Sequence, residues 1–268
     1  MNFQLTTLVE NVVYGKGLQG EHGLSLYIEA GEHKILFDTG RTDLFIRNAR
    51  ILGIDLKEVD YVVLSHGHND HTGGLHHFLW LNSKAKIVCK KEAFETKFKN
   101  STENGLPQPE QVDPTRIRWI EEKTELVPGV FLFPHIKITD KSDTHFENFY
   151  VLEDGEKVQD QFNDELALVL KTEKTFSIIS ACSHRGITNV IRTVQEDMPG
   201  LALQLVLGGF HIHRSDDEKF NVIAAYLGRK LPKRLGVCHC TGVEKYALFH
   251  HQFSDRVYYN YTGWIEKI

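Results

Sequence analysis

No pair of cysteines in this chain is spaced as CxxC, and the four present (Cys89, Cys182, Cys238 and Cys240) are too few in 268 residues for a disulfide ladder. That usage excludes a small disulfide-stapled scaffold and predicts a cytoplasmic protein with reduced thiols. The first residues, MNFQLTTLVENVVYGKG, lack the basic stretch and long apolar run of a secretion signal. No uninterrupted apolar run approaches the length that spans a bilayer, so no membrane is expected as a partner. Positive charge is also in short supply. Lys and Arg total 31 against 36 Asp and Glu, the formal net charge is -5, and no basic stripe is visible. Nucleic acid is therefore not an expected partner. There is no solenoid-length repeat and no low-complexity tract. What remains is an ordinary globular composition, 41% hydrophobic and 25% charged, long enough for one large domain or two small ones. A small-molecule substrate is the expected partner. Fifteen histidines are the one abundance that needs a reason.

Along the chain, strand-like and helix-like stretches alternate. FQLTTLVEN reads as a strand, and GLSLYIEAGEHKILFDTG as a hairpin around Ala30-Gly31-Glu32. RTDLFIRNARILGID is amphipathic at helical spacing with Gly53 as its stop. VDYVVLS is a short buried strand, LHHFLWLNS a helix and AKIVCKK a strand. Residues from roughly 95 to 150, including KFKNSTENGLPQPEQVDPT, are polar and read as a long loop, lid or insertion, with strand character resuming in ELVPGVFLFPHI. The last third regains the rhythm: a hairpin in ELALVLKTEKTFSIISAC, then helices alternating with the strands LALQLVLGGF, RLGVCHC and RVYYNY. This succession predicts an α/β architecture in one domain over 1–268. Both halves run from β-rich to α/β. Many strands end in Gly, His or Cys, and α/β folds place their chemistry at the carboxyl ends of strands.

The densest such end is SHGHNDHTGG, residues 65–74. A loop leaving a strand turns His66 and His68 toward one ion, while Asp70 and His71, at the entrance of the next helix, face a second ion close by. Neutral imidazole and carboxylate suit zinc, and also iron or manganese. Gly67, Gly73 and Gly74 are expected to let the backbone bend tightly and approach the ions closely. The alternative, a solvated polar turn rich in histidine, does not account for four potential ligands directly after a buried strand.

HxHxDH after a short apolar strand resembles the signature of the metallo-β-lactamase superfamily, and ILFDTG resembles its first motif. The resemblance implies that Asp38 buttresses the metal loop from behind. SACSHRGITN, VLGGFHIH and VCHCTG follow in order. Together they resemble the branch of dihydropterin ribofuranosyl-aminobenzene phosphate synthase-like proteins and related hydrolases. The implied fold is α/β (α+β): a four-layer αβ/βα sandwich, two central mixed β-sheets with helices on the outside, and the metals at one edge where strand-end loops of both halves meet. The superfamily adds a distal histidine, a bridging Asp or Cys, and a last histidine. Where many relatives read Gly-Asp, this chain reads Ala181-Cys182-Ser183-His184, and His184 is the expected ligand. Cys182 reads first as a buried structural cysteine, with thiolate ligation as the alternative. His239, before a Thr-Gly turn, is expected to close the set in preference to His211. His211 is expected to act as a proton donor, with ligation as its alternative. The resemblance thus implies two divalent ions, zinc first and manganese or iron as alternatives, held by His66, His68, Asp70, His71, His184 and His239.

Such a pair lowers the pKa of bound water and clamps the oxygens of the reacting group. The expected function is a metal-dependent hydrolase of a small phosphoester or related ester, with Asp70 orienting the nucleophile and His211 protonating the leaving group. The first alternative is the branch's transferase reaction, joining a pterin diphosphate to a ribosyl-aminobenzene phosphate. The second is a non-hydrolytic di-iron protein binding oxygen or nitric oxide. The later motifs do not support a β-lactamase. Oligomeric state stays open, a homodimer included. Of the other histidines, His76 and His77 are expected to divide between packing and water. His250 and His251 read as surface, and His22, His33, His135, His145 and His213 as isolated. His135 ranks behind His184 as a ligand. Lys90 and Lys91 read as a solvated strand end, with substrate neutralisation as the alternative.

Overall fold

Residues flanking Ala30-Gly31-Glu32 fold as two antiparallel strands, Ser25–Ala30 and His33–Phe37, in which Ile28 faces Ile35 and Leu26 faces Phe37. Apolar and β-branched side chains opposite one another are what a half-buried pleated pair requires. The hairpin belongs to a computed structural model that describes residues 2–230 and 232–268. The chain divides into two compact units. One comprises Asn2–Glu122, Phe146–Asp164 and Tyr261–Ile268; the other comprises Lys123–His145 and Glu165–Asn260.

The first unit carries a seven-stranded mixed sheet. Its spatial order is Ile265–Lys267, Phe3–Val9, Ser25–Ala30, His33–Phe37, Tyr61–Val63, Lys86–Cys89 and Ile117–Trp119. The first three pairings are antiparallel and the last three parallel. Helices Leu44–Ile51 and Leu75–Leu81 pack apolar faces against it, burying Phe45, Ala49, Leu75 and Phe78 with Leu8, Leu36, Val62 and Ile87. Each of these Leu, Ile, Val and Phe side chains contributes roughly 1.5–3 kcal/mol on leaving water. Asn48 is buried in the middle of the first helix, and its amide donates to the Leu8 and Gln19 carbonyls at 2.7 and 2.8 Å, so no polar atom there is wasted.

The second unit repeats the pattern. Its sheet runs Val257–Tyr259, Arg234–Val237, Ala202–Gly208, Thr175–Ser180, Ala167–Lys171, Val130–Phe133 and Thr124–Val127, with three parallel pairings followed by three antiparallel ones. Helices Ile187–Asp197, Asp217–Lys230 and Val243–Phe253 connect or follow its parallel strands. The β-rich-then-α/β rhythm of the sequence therefore does mark two halves of like construction.

The stretch expected to be a long loop is more ordered than its composition implies. Lys97–Lys99 pairs with Thr102–Glu103 and with Phe149–Glu153, which pairs with Glu156–Gln159, giving a third, four-stranded antiparallel sheet. Ile117–Trp119 is the outermost strand of the first unit's large sheet, and Thr124–Val127 with Val130–Phe133 belong to the second unit's sheet. Most of these strands are hidden because they are two to four residues long and mostly exposed, so no period-2 apolar signal develops; Phe149–Glu153 is five residues long and buries Phe149 and Val151 in alternation, but polar residues on both sides of it mask the signal.

Candidate metal centre

In the first unit, strands His33–Phe37 and Tyr61–Val63 are adjacent and parallel, so the loops at their carboxyl ends start side by side. One gives Asp38, whose backbone is left-handed (φ 59°), and the other gives residues 65–68 and the short helix Asn69–Thr72. His66, His68, Asp70 and His71 are all buried. The structure brings these four expected ligands into one cluster: the His66 ring centroid lies 4.7 Å from that of His68 and 4.4 Å from that of His71, and Asp70 Oδ2 is 3.8 Å from His71 Nε2.

Asp38 sits behind them, as its motif implied. Its Oδ1 accepts the Ser65 N–H at 2.7 Å, and its Oδ2 accepts the Ser65 hydroxyl at 2.7 Å and faces His71 Nδ1 at 2.8 Å. Proton accounting then fixes two tautomers. A carboxylate only accepts, so His71 Nδ1 carries a hydrogen, and in the neutral ring Nε2 keeps the lone pair. Ser65 has one hydroxyl proton, already given to Asp38. The His66 Nδ1 that lies 2.9 Å from Ser65 Oγ must therefore donate to it, which leaves the lone pair of His66 on Nε2, a nitrogen buried from water. Burial also keeps both neighbouring rings neutral. It lowers His66 well below the ordinary imidazole range and pushes His68 down to about 3, with Asp70 opposing the shift. Neutral imidazole lone pairs beside a carboxylate are the donor set of a borderline divalent cation, so these residues fit the ion their pattern implied.

The loop between the two HxH histidines is held from a second direction. Asp164 Oδ2 accepts the Gly67 N–H at 2.7 Å and lies 3.2 Å from Lys97 Nζ, which also donates to Asp160 at 2.8 Å. Burial pushes the Asp164 carboxyl up against the pull of Lys97, while the two carboxylates outweigh burial and hold the Lys97 ammonium above its usual range. Gly67 is required for close approach rather than for a bend, since a Cβ there would lie 2.4 Å from the Ala93 carbonyl oxygen. The same correction applies to Gly73 and Gly74. Both are right-handed helical (φ −61° and −79°), and a Cβ would meet the Arg41 and Thr39 oxygens at 2.3 and 2.4 Å.

In the second unit, three adjacent parallel strands, Thr175–Ser180, Ala202–Gly208 and Arg234–Val237, end in the segments bearing Cys182 and His184, His211, and His239 and Cys240. Ser183, His211 and His239 are left-handed, with φ of 52°, 53° and 50°. Such backbone costs about 1–3 kcal/mol per residue and persists where surrounding structure enforces it. Here Glu165 accepts the backbone N–H groups of His184 and Arg185 at 2.7 and 2.8 Å. His184 Nδ1 lies 3.2 Å from the His145 carbonyl, which can only accept, so the His184 lone pair is on Nε2. Donor atoms of Cys182, His184 and His211 lie within 4.8 Å of one another, and so do those of Cys182, His239 and Cys240. Donors around one tetrahedral zinc sit roughly 3.3–3.8 Å apart, so both groups need little adjustment. Cys182 belongs to both. His211, half-buried, has its ring 4.3 Å from His184 and 5.5 Å from His145.

Several residues were missed or misread in the sequence. His22, read as isolated, has Nε2 3.2 Å from Asp70 Oδ2. His145, also read as isolated, is buried between the Asp143 carboxylate at 3.8 Å and Lys219 Nζ at 3.5 Å. Cys240 touches Cys182. Lys90 is not a solvated strand end: it is buried and donates to the Asn163 carbonyl, although its neighbour Lys91 is exposed. His135 is exposed and belongs to neither donor group, and His77 faces water while His76 bonds the Pro107 carbonyl at 2.9 Å. No described helix is long and apolar enough to cross a membrane.

A fold of two mixed sheets, with histidine-rich strand-end loops and a buried HxHxDH cluster braced by an aspartate, defines a metallo-β-lactamase-like protein. The family model of the metallo-beta-lactamase superfamily matches residues 18–154, and the chain belongs to that superfamily. Within it, the chain is 30% identical over 274 residues to the 7,8-dihydropterin-6-methyl-4-(beta-D-ribofuranosyl)-aminobenzene-5'-phosphate synthase of Methanocaldococcus jannaschii, covering 95% of this chain and 92% of that one. Among solved structures it is similar to a metal-dependent hydrolase of the beta-lactamase superfamily, with 30% identity, a TM-score of 0.88 and 99% of each chain covered. A metallo-beta-lactamase fold protein from Bacillus subtilis, 13% identical with a TM-score of 0.64 and 100% of each chain covered, shares the fold.

Proposed function

We propose that this protein is a metal-dependent hydrolase of small phosphoesters or related esters, using two divalent ions, zinc foremost, held by His66, His68, Asp70, His71, His184 and His239. The observation that carries the reading is the Asp38–Ser65 proton arrangement, which presents the Nε2 lone pairs of His66 and His71 in a buried, neutral cluster beside Asp70. The structural similarity to a metal-dependent hydrolase over 99% of the chain supports it. Bound ions of this kind acidify water and withdraw charge from the oxygens of a phosphoester. The chain's own residues do the rest. Asp70, 3.2 Å from His22 and 3.8 Å from His71, accepts a proton from the attacking water and orients it. His211, half-buried beside His184, delivers a proton to the leaving oxygen. Asp164 and Glu165 keep the two ligand loops in place through backbone N–H groups.

A second reading is favoured by the 30% identity to the synthase over 95% of the chain. The reaction would then be a transfer in which the methyl carbon of a pterin diphosphate forms a bond to a ribosyl-aminobenzene phosphate acceptor as its bond to the diphosphate breaks, and the diphosphate is released. Turnover assays of the zinc- and manganese-loaded protein separate the two. Phosphate or alcohol release from single phosphoesters, abolished in His68→Ala and Asp70→Ala variants that keep the native circular dichroism, is the expected result. Diphosphate release only when both synthase substrates are mixed would replace hydrolysis with transfer. Undiminished hydrolysis in the two variants would overturn the site.

A further inference from the structure

Two cysteines of the second unit lie in contact beside its candidate ligands. Cys182 Sγ and Cys240 Sγ are 3.5 Å apart, they come from the ends of different strands, and neither is in a disulfide. Their exposure separates them from the other two thiols: 3% each for Cys182 and Cys240, against 0% for Cys89 and Cys238. The backbone N–H of His211 donates to Cys240 Sγ at 3.3 Å and fixes where that sulfur sits. The pocket is cut to the sulfur, because a Cβ on Gly209 would lie 2.4 Å from Cys240 Sγ. Two sulfurs in a disulfide stand about 2.05 Å apart, so the pair has to close by only about 1.5 Å.

We propose that Cys182 and Cys240 form an oxidation site: a dithiol that a hydroperoxide converts to an intramolecular disulfide, releasing metal from the adjacent ligands. One thiol attacks the peroxide O–O bond, taking one oxygen as a sulfenic acid while the other oxygen leaves as water from hydrogen peroxide, or as the alcohol from an organic hydroperoxide. The second thiol then attacks that sulfur, the S–S bond forms, and the sulfenic oxygen departs as water. Both cysteines lose a hydrogen and the peroxide takes up the two electrons. An external dithiol reverses the change. Cys182 sits in donor groups with His184 and with His239, and Cys240 shares the second group, so closure withdraws both sulfurs from the imidazoles. Flanking left-handed residues at 183, 211 and 239 restrict compensating movement of these loops.

The test uses the purified, metal-loaded protein. It is exposed to graded hydrogen peroxide, alkylated, digested without reduction and mapped by mass spectrometry, with metal content measured in parallel. Expected is a Cys182–Cys240 linked peptide pair, lighter by two hydrogens, that dithiothreitol removes and that Cys240→Ser does not form. Cys89 and Cys238 stay alkylatable, and bound metal falls in proportion to the linked fraction. Persistence of both thiols, oxygen uptake on either cysteine alone, or linkage to Cys89 or Cys238 overturns the oxidation site in the wild-type chain, without reliance on the variant. Full linkage with unchanged metal content overturns its coupling to the metal. The cross-link is independent of the proposed hydrolase activity, whereas the metal readout rests on the two sulfurs lying beside His184 and His239 of the proposed ligand set, so the two fail separately.

Discussion

At the scale of single residues, the account turns on Asp38. Its carboxylate receives three donors: the Ser65 N–H, the Ser65 hydroxyl and His71 Nδ1. Through them it sets the tautomers of both His71 and His66. An asparagine keeps the shape and tolerates the left-handed backbone at this position, but it has one acceptor oxygen and an NH₂ that can only donate. One donor must then face another. Asp38→Asn is expected to weaken metal binding about 10–100-fold, as removal of such outer partners does. Competition with a chromophoric chelator measures it, and an unchanged affinity would remove Asp38 from the role. The cluster itself was legible in the sequence because four donors fall within six positions, and the brace was legible through ILFDTG. His22 and His145 were not, since nothing in the neighbourhood of either marks it, and Cys240, although inside VCHCTG, was overlooked beside His239 because its contact with Cys182 comes from strand order. Asp164 and Glu165 did leave a trace, an acidic pair directly before a buried strand, but acidic pairs at strand starts are common and carry no address.

At the scale of elements, the strand Lys97–Lys99 explains how a polar middle segment supports a histidine loop. Its first residue is a lysine only 1% exposed, neutralised by Asp160 and Asp164, and Asp164 in turn holds Gly67 between the two histidines. Breaking such a pair on one side leaves carboxylates buried without their counter-charge. Lys97→Met is therefore expected to cost about 3–5 kcal/mol. Urea unfolding of wild type and variant checks this, and a loss under about 1 kcal/mol would show that water or rearrangement replaces the lysine. Regular elements were readable wherever helical or alternating periodicity had room to develop, as in Leu44–Ile51, Leu75–Leu81 and Ile187–Asp197. The small third sheet was not, because a buried lysine at position 97 looks the same in sequence as a solvated one.

At the scale of the whole molecule, two units of like topology each end their parallel strands in potential ligands, and the chain belongs to the metallo-beta-lactamase superfamily. Motif order along the chain made the α/β class and the family readable, since ILFDTG, HxHxDH, SACSH, VLGGFH and VCHC each follow a strand. Substrate was not readable, because the chain is equally similar, at 30% identity, to a hydrolase and to a synthase. The claim common to both reactions is the metal centre. Elemental analysis of the untagged, purified protein beside its His68→Ala variant tests it most directly. The account predicts about two equivalents of zinc, manganese or iron per chain and a clear reduction in the variant. Near-zero metal in the wild type that added ions do not restore, or equal metal in both proteins, would contradict it.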